Sequence, residues 1–70
     1  MNLTEARIGE EYIIKGIVTQ DGELDAFLFS LGCYSGEPVT VISRRRSNSV
    51  IALKDARYSI DNQLAKVIMV

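Results

Sequence analysis

The amino-acid sequence predicts a mainly β domain, five short strands curled into a small barrel around one α-helix, on three observations. Only one stretch carries a helical repeat: Leu24, Phe27, Leu28 and Leu31 fall at i, i+3, i+4 and i+7, and Gly32 follows where helices end in the left-handed conformation. Nearly everything else reads as short β-rich runs bounded by Gly, Asp, Asn and Ser. The third observation is size. A 70-residue chain buries only about 60% of its unfolded surface, too little to cover both faces of an open sheet, and curling the strands also hides edges that would otherwise aggregate.

Taken in order, residues 3–6 read as a short helical turn (4–6 at its centre) with Thr4 as cap, Glu5 near the positive end of the dipole and Gly9 as terminator. The run from Glu11 to Val18 is the first strand. Tyr12 and Ile14 share a face, and Ile17 joins them only after a one-residue shift, which Gly16 would supply as a bulge. Asp21-Gly22 turns the chain into the helix, expected from about Glu23 to Leu31, with Asp21, Glu23 and Asp25 at its N-terminus. Ser35-Gly36 forms the next turn, Pro38 forbids further helix, and Val39 and Val41 alternate with Thr40. Runs from Val39 to Arg45 and from Ser49 to Lys54 make a hairpin across Arg46-Ser47-Asn48, and Asp55-Ala56 is the following turn. Arg57 to Ile60 is a fourth strand, Asp61 caps a helical turn reaching Ala65, and Lys66 to Val70 closes the chain as a fifth. Gly9, Gly16, Gly32 and Gly36 are thus expected as structural turns. The expected core is Leu3, Tyr12, Ile14, Ile17, Leu28, Leu31, Val39, Val41, Ile51, Leu53, Ile60, Leu64, Ala65, Ile68 and Val70. With no repeat or linker, residues 1–70 read as a single domain.

Composition excludes several classes. Apolar runs of two to four residues are far below the roughly 20 that span a bilayer, and the Met1-Asn2-Leu3 start lacks an export signal, so the expected location is the cytoplasm. One cysteine, Cys33, rules out an internal disulfide, and the lack of histidine removes the commonest transition-metal ligand. A net charge of −1 is not the footprint of a nucleic-acid binder, although three of the eight basic residues cluster at Arg44, Arg45 and Arg46.

The order of these signals resembles one family, the ferrous-iron transport protein FeoA, along essentially the whole chain. The resemblance rests on Leu3 and Gly9 near the start and on Ile14 and Ile17 in the first strand. Its most specific part is Leu28-Phe29-Ser30-Leu31-Gly32-Cys33-Tyr34-Ser35-Gly36 running into Val39-Thr40-Val41, and the ending Ala65-Lys66-Val67-Ile68-Met69-Val70 completes it. Ser35 stands where the family has proline and Cys33 where it has a larger aliphatic residue; the turn loses about 0.5–1 kcal/mol of pre-organisation. The resemblance implies an SH3-like barrel, no cofactor, and a cytoplasmic accessory protein of ferrous-iron uptake that binds and modulates the FeoB membrane transporter through its GTPase part. Such a protein would sit at the inner face of the plasma membrane through its partner. A similar domain ends the iron-dependent repressors, whose DNA-binding half has no counterpart in these 70 residues.

Candidate chemistry is sparse. Asp21-x-Glu23-x-Asp25 resembles the start of a calcium loop, but Ala26 replaces its glycine and Gly32 its closing glutamate, so acidic decoration of a helix N-terminus is the better account. Cys33 has no histidine to activate it and reads first as a buried apolar residue; the iron connection keeps a contacting role as the second reading. The three arginines read either as a solvated hairpin or as a contact for an acidic surface or the anionic leaflet, weak at about 1 kcal/mol per charge. Phe29, on the opposite side of the helix from Leu28 and Leu31, and Tyr34 are either singly exposed apolar groups or, beside Cys33, anchors of an interface. No phosphate loop, triad or paired carboxylate is present, so a non-enzyme with no tight metal site is expected. The sequence leaves one alternative of another class, a small-barrel nucleic-acid or ribosome-associated module using the triple arginine.

Overall fold

Alternation of apolar and polar residues builds the main sheet. In the computed structural model, which describes residues 1–70, β3 (Pro38–Arg44), β4 (Asn48–Leu53) and β5 (Ala56–Asp61) form an antiparallel meander, and β1 (Glu11–Ile13) adds to the far side of β3. Val39 and Val41 of β3 and Ile51 and Leu53 of β4 point inward and are buried, as a period of two requires. A second, two-stranded sheet pairs β2 (Gly16–Ile17) with β6 (Ile68–Met69). The helices are a 3-10 turn at Leu3–Glu5, α1 (Gly22–Ser30) and α2 (Asn62–Val67). The fold is the expected mainly β small barrel, with six strand segments in two sheets instead of five strands.

The extra segment comes from the first strand run, which divides. Ile14 still bonds the β3 side, its N–H donating to Glu37 O and its carbonyl accepting from Gly36 N, whereas Lys15 N–H donates to Met69 O. Changing partner sheets at this point does what a bulge was expected to do. Gly16 is therefore not a turn: it lies in β2 opposite Met69, and the irregularity in the ladder falls instead between Val41 and Ser43 of β3. At the other end α2 runs on to Val67 and leaves only Ile68 and Met69 paired as strand.

Two local expectations shift by a residue or two. Asn2, not Thr4, caps the 3-10 turn: its side chain accepts from Thr4 N at 2.9 Å while Glu5 Oε1 accepts from Asn2 N at 2.9 Å, a reciprocal capping box. The turn between β4 and β5 is Lys54-Asp55, with φ of 51° and 63°, because Leu53 pairs directly with Ala56. Both central residues at positive φ make the tight reversal that suits twisted strands; aspartate tolerates it and lysine only at some cost.

Thirteen buried hydrophobic residues form one core. Tyr12, Ile17, Leu31 and Leu64, expected inside, lie half-buried around it, and Ala6 and Cys33 are inside instead.

Candidate functional site

Helix α1 is fastened at both ends. Asp21 caps it, its Oδ1 accepting from Glu23 N at 3.1 Å and Leu24 N at 3.2 Å. At the other end Gly32 N donates to Phe29 O at 2.9 Å and Cys33 N to Leu28 O at 3.0 Å, the paired bonds of a Schellman cap, with Gly32 at φ 92°. Leu28 and Cys33, joined by that cap, are both in the core.

The buried stripe of α1 is narrower than the helical repeat predicts. Leu28 alone is fully buried, Leu24 and Leu31 are half-buried, and Phe27, expected on this face, is 50% exposed. The contact line is centred on Leu28, and at 3.6 residues per turn Phe27 and Phe29 each stand about 100° round from it, on opposite flanks. Phe29 is 64% exposed. Beyond the cap, the turn at Gly36 (φ 93°) closes with Glu37 N donating to Tyr34 O at 3.2 Å, which folds Tyr34 back beside Phe29. Their ring centroids are 5.0 Å apart and tilted by 40°.

Lys54, which sequence reasoning passed over, locks this arrangement from the β4–β5 turn. Its ammonium lies 3.1 Å from Glu37 Oε1 and 4.9 Å from the centre of the Tyr34 ring, and its stem crosses Gly32 where a Cβ would be. Tyr34 first, and then Glu37, raise the lysine's pKa above its ordinary value. The only signal in the sequence was a lysine in a position needing positive φ, and that appears once the turn is placed.

The remaining candidates separate from the aromatic pair. Cys33 is 1% exposed and burial pushes its thiol up to about 11, so it is a neutral core residue with no access to a partner. Arg44 donates from one Nη2 to the carbonyls of Leu3 (2.8 Å) and Ala6 (2.9 Å), closing the C-terminal end of the 3-10 turn. Its guanidinium is structural, so the reading of three solvated arginines applies only to Arg45 and Arg46. Those two sit on a hairpin tied to α2 through Asn62 Nδ2, which donates to Arg46 O at 3.0 Å. Glu37, Lys54 and Tyr34 sit at the opposite end of β3 and β4, and six residue steps along β3 are about 20 Å. The arginines cannot form a rim around Phe29 and Tyr34.

One shallow cavity of about 290 Å³ opens over β1, β3 and β4, with Glu11, Thr40, Ala52 and the Lys54–Glu37 pair in its walls. Of the carboxylates that line it only Glu37 is paired, with Lys54, and no three His, Cys, Asp or Glu side chains converge anywhere as a metal site. No helix is long and apolar enough to cross a membrane.

A two-sheet barrel with a helix laid over one side and an aromatic pair of exposed Phe29 and half-buried Tyr34, without an enclosed pocket, defines a small SH3-like module. The same architecture recurs in solved structures. A manganese-dependent transcriptional repressor superposes with a TM-score of 0.89 at 20% identity, over 97% of this chain and 39% of that one. An iron uptake regulatory protein, FeoA, gives 0.84 at 22% identity over 94% and 88% of the two chains. FeoA of Stenotrophomonas maltophilia, a prokaryotic SH3 domain protein complexed with zinc, gives 0.87 at 16% identity over 99% and 87%. The chain thus spans well under half of the repressor and most of each FeoA protein. No curated protein matches it. The FeoA domain model matches residues 1–70, and the chain belongs to the FeoA domain family.

Proposed function

We propose that this protein is a cytoplasmic, non-enzymatic accessory module of ferrous-iron uptake that binds the GTPase part of a FeoB-like transporter through Phe29 and Tyr34. Membership of the FeoA family supports the pathway, as do two neighbours in fold, one described as an iron uptake regulatory protein and the other as a candidate activating factor for ferrous iron transport. The observation that carries the reading is the Phe29–Tyr34 pair. An exposed Phe29 resting on a half-buried Tyr34, which Lys54 and Glu37 hold in place, is pre-organised for a partner, which lowers the ordering cost of binding. Aromatic anchors of this kind dominate interface energetics. Phe27 extends the apolar surface on the other flank of α1.

The test is co-purification with the transporter's cytoplasmic part. Phe29→Ala, which disturbs no core contact, should weaken binding by about 2 kcal/mol or more, about 30-fold, while the far-UV spectrum stays unchanged. Neutralising Arg45 and Arg46 should change binding little. Normal binding by Phe29→Ala would sink the assignment, and loss of RNA binding in the arginine variant would favour the nucleic-acid reading instead.

A further inference from the structure

β5 is the edge of the four-stranded sheet, with no strand beyond it. Leu53 and Ala56 flank a two-residue turn and so form a hydrogen-bonded pair, and the pattern repeats at Ile51 with Tyr58 and at Ser49 with Ile60. Asn62 N donating to Ser47 O at 3.2 Å continues the alternation. Arg57, Ser59 and Asp61 therefore turn their backbone groups to the open edge, and all three side chains are exposed. The Asp61 carbonyl serves the first turn of α2, which leaves its N–H free.

We propose that this edge pairs antiparallel with the same edge of a second copy, about a twofold axis passing between the two Ser59 residues. In that register Ser59 lies opposite Ser59, Tyr58 opposite Ile60, and Arg57 opposite Asp61 twice over. The outward backbone groups match: both Ser59 residues exchange N–H and carbonyl, and each Asp61 N–H meets an Arg57 carbonyl, four main-chain bonds in all. The charges favour this register, which sets Arg57 against Asp61. The chain's one ion pair is Lys54–Glu37, so Arg57 has no internal acid partner, and only one oxygen of Asp61 is used, accepting from Leu64 N. Centring the axis on position 57 or 61 would set Arg57 against Arg57 or Asp61 against Asp61, and like charges directly opposite disfavour pairing. Arg57 and Asp61 stand symmetrically about Ser59, which makes the edge complementary to itself. A contact one strand long is small, so the dimer is a weak one that forms as concentration rises.

Sedimentation velocity over a concentration series up to about the millimolar range, where weak contacts populate, should show the mass doubling for the full chain. Arg57→Asp sets a second carboxylate opposite Asp61, and the repulsion should raise the dissociation constant by about tenfold or more, with circular dichroism confirming the fold. Geometry is tested independently by Ser59→Cys. Its Cα atoms would lie about 5.5 Å apart in the dimer, within disulfide range, whereas Arg57→Cys would separate its own pair by about 14 Å. Mild oxidation should therefore cross-link Ser59→Cys rapidly and Arg57→Cys barely at all. A monomer at every concentration, unchanged association of Arg57→Asp, or equal cross-linking at the two positions overturns the proposal. The first of these would leave the edge to a strand from another protein.

Discussion

Replacing Gly32 by alanine tests how the helix cap, the aromatic surface and the lysine are coupled. Gly32 stands at φ 92°, where an L-residue is strained by about 1–2 kcal/mol, and its N–H and that of Cys33 close the two cap bonds, so the backbone cannot leave this region without losing them. The new Cβ would also meet Lys54 Cδ at 2.7 Å and Cε at 3.0 Å. Both atoms belong to the far part of a flexible side chain. The stem will swing away, taking the ammonium from Glu37 and from the Tyr34 ring, so the damage spreads to the surface that holds Phe29 and Tyr34. With a urea slope of about 1 kcal/mol per molar for so small a protein, the backbone strain alone lowers the unfolding midpoint by about 1–2 M. Repeating Gly32→Ala in a Lys54→Ala background removes the collision and leaves the strain, so the effect should shrink without vanishing. A midpoint shift below about 0.3 M for the single variant, too small for left-handed strain, would refute the cap geometry. An identical shift in both backgrounds would refute the coupling to Lys54.

Other outcomes follow from the same contacts. Arg44→Ala removes both bonds to the carbonyls of Leu3 and Ala6 and should destabilise by about 1–3 kcal/mol in urea titration, whereas Arg45→Ala and Arg46→Ala should stay within about 0.5 kcal/mol of wild type. Cys33 should react with a thiol reagent at pH 8 only as fast as the protein opens, and the rate should rise steeply in urea. Its pH dependence has a definite sign. Burial raises the thiol from 9.0 to about 11, so the stability gained by keeping it neutral is complete below 9 and is lost as pH climbs through 11. Stability falling between pH 6 and 8 from this group would contradict that.

The helix, its caps and the strand alternation were legible because each is a local consequence of residue type. The apolar spacing about Leu28, Asp21 before Glu23, Gly32 after Leu31, and Val39 and Val41 around Thr40 need only neighbours in the chain, and each is present. The family pattern was legible for the same reason. What a strand pairs with is not local. Nothing between Glu11 and Val18 says that the chain will leave β3 at Ile14 and join β6 at Lys15, because that depends on where the C-terminus arrives. The width of a buried helical stripe is likewise set by what lies beneath it, so Phe27 stands exposed beside Phe29 although its position in the repeat assigned it to the buried face.

The candidate site divides along the same line. The sequence by itself determined that Phe29 and Tyr34 would flank a capped helix end, since a fixed turn of four residues separates them. Only the tertiary structure decided that Lys54, twenty residues further on, would clamp Tyr34. It also decided that Arg44 would be spent on the carbonyls of Leu3 and Ala6, about 40 residues away, and that the arginine hairpin would stand a full strand length, about 20 Å, from the aromatics. The physical reason is that hydrogen-bonding and hydrophobic periodicity within a segment are encoded in adjacent residues, whereas the pairing of distant charges and edges is fixed only when the barrel closes and brings the ends of its strands into contact.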